Sequence, residues 1–590
     1  MISRTWFIPT SPRSPHKIRN ELILLSRFEG HTWDKSAQIE YAKLLESSGF
    51  FEGNVSQTLP DLSARDRLRP IYMFGFGYLD SEKKLRITPA GMRLINNIRI
   101  EELFFKQLLK WQFPSWQHGG NSRTRYRYVA FQNSDIFPFF ETLKLTHRLH
   151  GVTKDEIAMF FLPCLTIDDF NQVYEQILEF RQQLQRIRHK TNRLRFIQEQ
   201  KEEIFQRVYQ EDINSGNIRT RESPTDTVSQ FINKKIRNSM DYADALIRYF
   251  QYTGYFSRTY DQLITSPNKE RDIIQLLDIE LGIVDYHDVD QFYHYFGNPE
   301  LPILPWERTD AMETRISAIL ENIESLIREI IILDQSFQPI PLPAIPQEVS
   351  LEQYLDYYNS LELYLKSLYE ERLIRDVRRP DIVENIVSTY DEILNREVID
   401  PATYFEWNTW RAILALDDCR ARPNFVMDSN LNPLSHAGGR QADIEVDYSE
   451  YDVLFEVTLS SGERQFDKEA EPVTRHVAKY KINNPDKTVF GIFIAPNINP
   501  NTSHVFYTYF KALEFPDAGH ITIIPISLEL FIRYLRYSIE TNTFNRETFK
   551  QILDSVQNLK ETATSGAEWY SSIVNIFEQN MTEHIGVESA

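Results

Sequence analysis

The clearest pattern of hydrophobic and polar positions lies between residues 441 and 476. Asp443 begins an alternating run, Asp-Ile-Glu-Val-Asp-Tyr, which predicts a strand with one exposed face. Residues 451–459 are richer in β-forming side chains and predict a second strand, joined to the first by a tight connection at residues 449–450. Asp443 and Glu456 are therefore expected on neighbouring antiparallel strands.

The elements around these two strands predict a C-terminal α/β domain over residues 398–590. The pattern gives, in order, a helix from Thr403, a strand near Phe425, the two acidic strands, a helix beginning around Pro472, and strands over 489–495 and 521–526. Proline suits the first turn of a helix, because the missing N–H has no partner there.

The first 300 residues predict two modules in which helices precede a short hairpin. Residues 73–91 give two short strands and then a Thr-Pro helix start, and residues 256–265 give a second hairpin after a helix that ends near Gly254. Each module is winged-helix-like, so we expect modules over 1–142 and 143–298. Winged-helix units dock a helix in the major groove, and many serve only as protein contacts.

Residues 299–397 predict a helical linker. Helical periodicity runs over 310–333 and resumes over 351–395, while the proline-rich stretch 338–346 must be extended. The fold class is thus multidomain α+β: tandem winged-helix-like modules, a helical linker and the C-terminal α/β domain.

Composition indicates a folded, multidomain protein. The hydrophobic fraction of 42% is typical of folded domains, and a chain of 590 residues is too long for one core. We find no membrane-spanning run and no signal peptide, and the two cysteines, Cys164 and Cys419, have no zinc or disulfide spacing. A reducing cytoplasm is the expected location.

The formal net charge of −19 is unevenly distributed. Residues 1–300 carry 40 Lys and Arg against 38 Asp and Glu, residues 301–400 carry 9 against 20, and residues 401–590 carry 16 against 26. Local basic patches determine attraction to phosphates, so the N-terminal half predicts salt-sensitive DNA binding.

The candidate DNA-contacting residues lie in that half. Between Lys106 and Arg127 amides, rings and cations alternate without an acid, which suits base edges and phosphates. The structural alternative is a helix that ends in a Gly-Gly loop, with both tryptophans in the core. The candidates are Arg13, Lys17, Arg65, Arg67, Lys106, Lys110, Gln112, Ser115, Gln117, His118 and Arg123.

Two carboxylates that meet on adjacent strands suit a hard divalent cation such as Mg²⁺, with water and substrate phosphate completing the oxygen cage. Strands also carry carboxylates for solubility alone. The arrangement resembles the PD-(D/E)xK nuclease signature, with Ala442 in place of proline and Thr458 in place of lysine.

A longer string carries a closer resemblance. Glu469-Ala-Glu-Pro-Val-Thr-Arg-His476, with His436-Ala-Gly-Gly-Arg-Gln-Ala-Asp443 upstream, resembles the catalytic segment of the AlwI-type family. These are type IIS restriction endonucleases and site-specific nicking endonucleases of the PD-(D/E)xK superfamily. Residues 11–18 and 106–120 also resemble the N-terminal and recognition segments of that family, and the predicted order of elements is the one expected for its core.

The resemblance implies a site for one or two Mg²⁺ ions. Asp443, Glu456 and the Val457 carbonyl would bind metal, and Glu469 would bind metal or orient water. His476 would position water, act as a general base or contact phosphate. Glu406, from the preceding helix, is a further candidate.

Two hypotheses follow. The first is a Mg²⁺-dependent, sequence-specific DNA endonuclease that binds an asymmetric duplex site and cuts one or both strands at a fixed distance outside it. A small catalytic subunit or a transient dimer would then cleave the second strand. The second is a non-catalytic winged-helix DNA-binding protein with a degenerate nuclease fold, for which Thr458 leaves room.

Overall fold

The computed structural model describes residues 3–48, 50–51, 60–120, 125–218, 227–346, 350–416, 420–438 and 441–583. The chain forms two compact units: Met1–Ile316 with Pro346–Asn359, and Ser317–Ile345 with Ser360–Ala590. The finer division into four domains stays a prediction. None of the helices in the described ranges is long and apolar enough to cross a lipid bilayer.

The first unit is mostly helical. Its helices are α1 Lys17–Leu25, α2 Lys35–Ser47, α3 Pro60–Met73, α4 Pro89–Ile95, α5 Ile100–Leu109, α6 Pro138–Leu149, α7 Lys154–Glu156, α8 Ile167–Gln185, α9 Lys190–Val208, α10 Gln210–Asn214, α11 Val228–Gln251, α12 Glu270–Leu277 and α13 Val289–Phe296, and α14 Thr309–Leu333 begins there. Short 3₁₀ or π turns cover Ser26–Phe28, Trp116–Gly120, Arg125–Phe131, Ile157–Phe161 and Pro267–Lys269.

Both hairpins expected in this half are present. Strands β1 Gly77–Leu79 and β2 Leu85–Ile87 pair antiparallel, and Thr88 then caps α4 by accepting from the N–H of Gly91 at 3.1 Å. Strand β3 Val152–Thr153 joins the second hairpin, β4 Phe256–Thr259 with β5 Gln262–Thr265, in the order β3-β5-β4. These elements are consistent with winged-helix-like modules, and the assignment of that fold stays a prediction.

The second unit contains the larger sheet. Its helices are α15 Leu351–Asp376, which starts in the other unit, α16 Pro380–Leu394, α17 Pro401–Leu416, α18 Glu463–Asn483, α19 Pro500–Lys511, α20 Leu528–Glu540, α21 Arg546–Thr562 and α22 Gly566–Glu583. Its strands are β6 Arg420–Pro423, β7 Val426–Met427, β8 Pro433–Ser435, β9 Ile444–Asp447, β10 Tyr451–Val457, β11 Thr488–Ala495 and β12 Thr522–Ser527.

Five of these strands form one mixed sheet in the order β12-β11-β10-β9-β6. Strands β10, β11 and β12 run parallel to one another, whereas β9 runs antiparallel to both β10 and β6. The register pairs Phe455 with Ile444, so Glu456 on β10 lies at the level of Asp443, just before β9. The expected pairing of the two acidic strands is confirmed.

Helix α18 packs closely on this sheet. A Cβ atom at Gly491, in the middle of β11, would lie 2.9 Å from a methyl carbon of Val477 on α18. Real side chains do not approach so closely, so glycine leaves the room that brings this helix down onto the strand. Val477 and its buried neighbours on α18 join the main core of the unit. This packing fixes the height of α18 above the strand that carries Glu456.

Two sequence expectations for this unit are wrong in detail. The helix of Pro472 begins at Glu463, and Pro472 lies inside it. The strand of Asp443 was expected to be half exposed, but the first three residues of β9 are buried. Ile444 and Val446 join the core of the unit, and Glu445 on the other face is covered by its ion pair with Arg422.

Candidate active site

Asp443 is attached to the end of β10 by a backbone hydrogen bond. The N–H of Val457 donates to Oδ2 of Asp443 at 2.8 Å. The backbone of Asp443 is held as well, since its carbonyl accepts from the N–H of Asn424 at 2.9 Å. The carboxylate therefore lies at the carboxyl end of the strand that carries Glu456.

Glu456 and His476 form a buried pair. Both side chains are almost wholly buried, and Oε1 of Glu456 lies 2.7 Å from Nδ1 of His476. The histidine comes from α18 and the glutamate from β10, so the pair depends on the packing of that helix on the sheet.

Glu469 lies on the same helix as His476, about two turns earlier. Its Oε1 atom accepts hydrogen bonds from the hydroxyls of Thr458 and Ser460, each at 2.9 Å. Thr458 occupies the position at which the nuclease signature has lysine. Its observed contact is to hold the carboxylate of Glu469 beside the end of β10.

Glu406 comes from α17 and is buried. Its Oε2 accepts from the N–H of Ala437 at 2.7 Å, which ties it to the segment just upstream of Asp443. All four acidic candidates therefore lie in the same unit, and Asp443, Glu456 and Glu469 meet around the end of β10.

The carboxylates oppose one another's ionisation. Burial raises the pKa of Asp443 well above its ordinary value, and the charges of Glu456 and Glu469 raise it further, against the Val457 N–H. Burial also raises the pKa of Glu456, and the charges of Glu406 and Glu469 add to the effect, while Arg475 lowers it. A cation among these groups would remove the mutual repulsion.

The donor set suits a hard cation, although the protein side chains alone do not complete a site. Within the described ranges, no three His, Cys, Asp or Glu side chains are arranged so that they could hold a metal ion. The N–H and C=O of one strand residue point to the same edge. Since the N–H of Val457 reaches Asp443, its carbonyl oxygen faces that edge too.

Sequence reasoning missed three contributors to this cluster. Ser460 and Asn424 were not expected there. Their hydrogen bonds, to Glu469 and to the backbone of Asp443, are not predictable from a local sequence pattern. Arg475 was signalled by its position directly before His476 in the family-like string, but no role was assigned to it.

The comparison with protein families matches residues 72–534 to the model of the AlwI restriction endonuclease. The chain belongs to this family. Membership supports activity as a site-specific DNA endonuclease, as expected from the string that contains Glu469 and His476. The comparison with curated proteins found no match.

Two solved structures are also similar to parts of this AlwI-family chain. One is the small subunit of the heterodimeric restriction endonuclease R.BspD6I, with 25% identity, a TM-score of 0.28, and coverage of 33% of this chain and 98% of that one. The other is the binding domain of the BpuJ1 endonuclease in complex with pyrene- and phenanthrene-modified DNA, with 16% identity, a TM-score of 0.29, and coverage of 48% and 90%.

The structure places the central DNA-contact candidates of this AlwI-family protein inside the first unit. Lys106 has 1% of its side chain exposed and forms an ion pair with the buried Glu307. The ammonium of Lys110 donates to the carbonyls of Phe296 at 2.9 Å and Asn298 at 2.6 Å. In this conformation both lysines are buried and join distant segments of the unit, and their contact with DNA stays a prediction.

The neighbouring polar candidates are engaged in the same way. Gln112 exchanges two hydrogen bonds with the backbone of Val284, at 2.8 and 3.0 Å. Gln117 donates to the hydroxyl of Tyr293 at 2.7 Å. Both amides thus join this segment to residues far along the chain, and their role at base edges stays a prediction.

Ser115 and His118 bond to each other, with 2.7 Å between Oγ and Nδ1. Burial, with a smaller contribution from Arg69, lowers the pKa of His118 to about 3, so this ring is neutral. The structural alternative is met in part: Trp111 lies in the core, whereas Trp116 is only partly buried and begins a π turn that ends at Gly120.

The remaining candidates lie nearer the surface. Arg13 has 48% of its side chain exposed and pairs with Asp241, and Arg65 pairs with Asp61 one turn earlier in its helix. Arg67 pairs with the buried Glu21, while Lys17 is partly exposed. Arg123 lies outside the described residues. DNA contact by these side chains stays a prediction.

Proposed function

We propose that this protein is a Mg²⁺-dependent, sequence-specific DNA endonuclease of the type IIS or nicking class. It binds an asymmetric duplex site and hydrolyses phosphodiester bonds at a fixed distance outside it. The observation that carries the proposal is the convergence of Asp443 and Glu456 on adjacent strands, with Glu469 and His476 supplied by one helix laid over them.

Asp443 and Glu456 would hold the metal, with the Val457 carbonyl and Glu469 as further donors. Since these protein groups do not close a site by themselves, water and phosphate oxygens would supply the remaining ligands. A bound Mg²⁺ ion supplies Lewis-acid chemistry to the scissile phosphate. The fit rests on the chemistry of the donor set, since buried carboxylates that raise one another's pKa are the environment that a dication stabilises.

His476 is the proposed general base. When Nδ1–H donates to Glu456, Nε2 is the basic nitrogen of the ring, which suits it to take a proton from the attacking water. Glu456 thereby fixes both the orientation and the tautomer of the base.

Glu469 takes the place of the signature's lysine, which this chain lacks because residue 458 is threonine. The hydroxyls of Thr458 and Ser460 fix one of its oxygens, so its carboxylate is oriented before substrate arrives. In this proposal the site belongs to the PD-(D/E)xK superfamily and differs from it in the way that its third carboxylate is positioned.

Cleavage outside the bound sequence follows from a division of labour along the chain. We assign recognition to the hairpin-bearing modules of the N-terminal half and cutting to the sheet of the second unit. The described residues provide one such cluster of carboxylates in this chain. A small catalytic subunit or a transient dimer therefore supplies the second cut where both strands are cleaved.

The test uses supercoiled plasmids of varied sequence, incubated with the purified protein in Mg²⁺ or in EDTA. A parallel reaction contains Asp443→Ala, which removes a proposed metal ligand. Linear fragments of discrete size support a double-strand cutter, and open circles support a nickase or a subunit without its partner. Absence of cleavage in Mg²⁺ and in Mn²⁺ would overturn the enzyme and favour a DNA-binding protein.

A further inference from the structure

A cavity of about 640 Å³ opens beside the carboxylate cluster. Its walls come from β9 and the segment before it, from the C-terminal half of α18, and from Arg422 on β6. His476 lines the cavity and also contacts Glu456, so the cavity reaches the carboxylate cluster. Its volume lies within the roughly 300–1,000 Å³ of pockets that hold a small molecule.

The acidic groups in its wall are already neutralised. Glu445 forms an ion pair with Arg422 and accepts from the side-chain amide of Asn424 at 2.8 Å. Asp447 accepts from the ammonium of Lys487 at 2.7 Å. A phosphodiester that enters the cavity therefore meets carboxylates whose charge is compensated.

Polar groups of the other wall remain available. Lys479 is exposed, one turn beyond His476 on α18, and makes no ion pair with any residue in the described ranges. Asn483 lies one turn further on the same face, and its side chain is also exposed. A lysine suits a phosphate, and a carboxamide suits the hydrogen-bonding edge of a base or the oxygens of a sugar.

An aromatic ring completes this wall. Tyr480 donates its hydroxyl to Asp452 at 3.1 Å, which fixes the ring where it lines the cavity. Burial, with a further contribution from Asp452, raises the pKa of Tyr480 to about 12, so the ring is neutral. Neutral rings in such positions hold nucleobases by stacking, without a preference for one base.

We infer that this cavity is a subsite for one nucleotide of the cleaved strand, next to the scissile phosphate. Lys479 binds its phosphate, Asn483 binds its base or sugar, and Tyr480 supports the base. The inference rests on the proposed endonuclease activity and deepens it. It means that the strand leaves the duplex stack by at least one base at the site of cutting.

The experiment uses a duplex whose cut position has been mapped on the wild-type protein. Abasic residues replace, one at a time, the nucleotides on each side of the scissile phosphate. The variant is the double substitution Lys479→Ala/Asn483→Ala, in which both side chains are exposed. The control is Lys560→Ala on α21, a partly exposed lysine that does not line the cavity.

We expect the double variant to cut normal DNA at least about 10-fold more slowly than the wild type and the control, in line with the loss of the polar contacts to the phosphate and to the base or sugar of one nucleotide. The wild type should also be slowed by one abasic position. The double variant should be slowed less there, because it has already lost the contact of Asn483 with the base and keeps only that of Tyr480. Equal thermal unfolding midpoints exclude misfolding of the variant.

Two results would overturn the inference: normal cutting by the double variant, or an abasic penalty that is the same in both proteins. A wild-type protein that cuts no DNA in Mg²⁺ would instead overturn the proposed function. The failures of the two proposals are thus distinguishable.

Discussion

The Nδ1 atom of His476 lies 2.7 Å from Oε1 of Glu456, although the two residues are 20 positions apart in the chain. The contact joins α18 to β10. It depends on Gly491, because the absence of a side chain there lets the helix pack closely on the sheet. A carboxylate that orients a histidine in this way determines which ring nitrogen is basic. We therefore regard this pair as the proton-handling part of the site.

Replacement of His476 by alanine should slow DNA cleavage by about 10²- to 10⁴-fold, the range that a general base contributes. DNA binding in Ca²⁺ should be unchanged, because the proposed role of the ring is to transfer a proton and not to contact the recognition sequence. Single-turnover cleavage of one duplex by the variant and the wild type measures this loss. His504→Ala, an exposed histidine of the same unit, is the control, and a rate for His476→Ala within twofold of it would contradict the role.

Thr458 should matter through its hydroxyl. Thr458→Val keeps the shape of the side chain but removes the bond to Glu469, and with it the acceptor for the N–H of Ser460. We expect kcat to fall about 10-fold, a loss of about 1.4 kcal/mol in the barrier, with KM little changed. Thr458→Ser should restore most of the rate. Equal rates for the valine and serine variants would show that Glu469 needs no such anchor.

Asp443→Asn should stabilise the metal-free protein. Since burial and then Glu456 raise the pKa of Asp443, the folded state binds this proton more tightly than the unfolded chain does. The stability that this group contributes is therefore present at low pH and is lost as pH rises from the ordinary aspartate value through the raised one. In EDTA, the unfolding midpoint of Asp443→Asn should exceed that of the wild type by an amount that grows with pH.

The wild type and Asp443→Asn also separate the effect of metal binding on stability from the effect of the buried charge. Each kcal/mol corresponds to roughly 2–4 °C in the midpoint of a unit of this size. Added Mg²⁺ should raise the midpoint of the wild type, more at high pH than at low pH because the ligands must be deprotonated, and should leave Asp443→Asn unchanged. A Mg²⁺ shift of equal size in both proteins would place the ion elsewhere.

Lys106 should contribute to stability and not to DNA affinity directly. Lys106→Met leaves the buried carboxylate of Glu307 unpaired, which costs about 3–5 kcal/mol of unfolding free energy. The double substitution Lys106→Met/Glu307→Gln should recover part of this loss, and the folded double variant should bind DNA as the wild type does. Denaturant unfolding and a salt titration of DNA binding measure the two effects. Weaker DNA binding by the stable double variant would restore Lys106 as a contact.

The short-range features of the cutting unit were predictable. The alternation around Asp443 and the apolar run before Glu456 specify two paired strands, and both are present. The start of α18 was misplaced because Pro472 is typical of a first turn. The first turn of this helix in fact begins nine residues earlier, at Glu463, and its other residues outweigh the one lost backbone bond.

The long-range features were not predictable from local patterns. The alternation of cations, amides and rings after Lys106 suggests a DNA-binding face. Its partners, Phe296, Asn298 and Glu307, come nearly 200 residues later, and a local pattern carries no information about them. The hydroxyl bonds of Thr458 and Ser460 to Glu469 are not predictable for a similar reason, since the nuclease signature defines position 458 only as a lysine.

The most direct measurement is to sequence the DNA ends that the wild-type protein and Asp443→Asn produce from one plasmid in Mg²⁺ and in EDTA. We predict that wild-type ends in Mg²⁺ all lie at one distance, on one side of a single asymmetric sequence. The variant and the EDTA reaction should give none. Ends scattered without a common sequence, or the same ends from Asp443→Asn, would contradict a site-specific endonuclease that cuts with this carboxylate cluster.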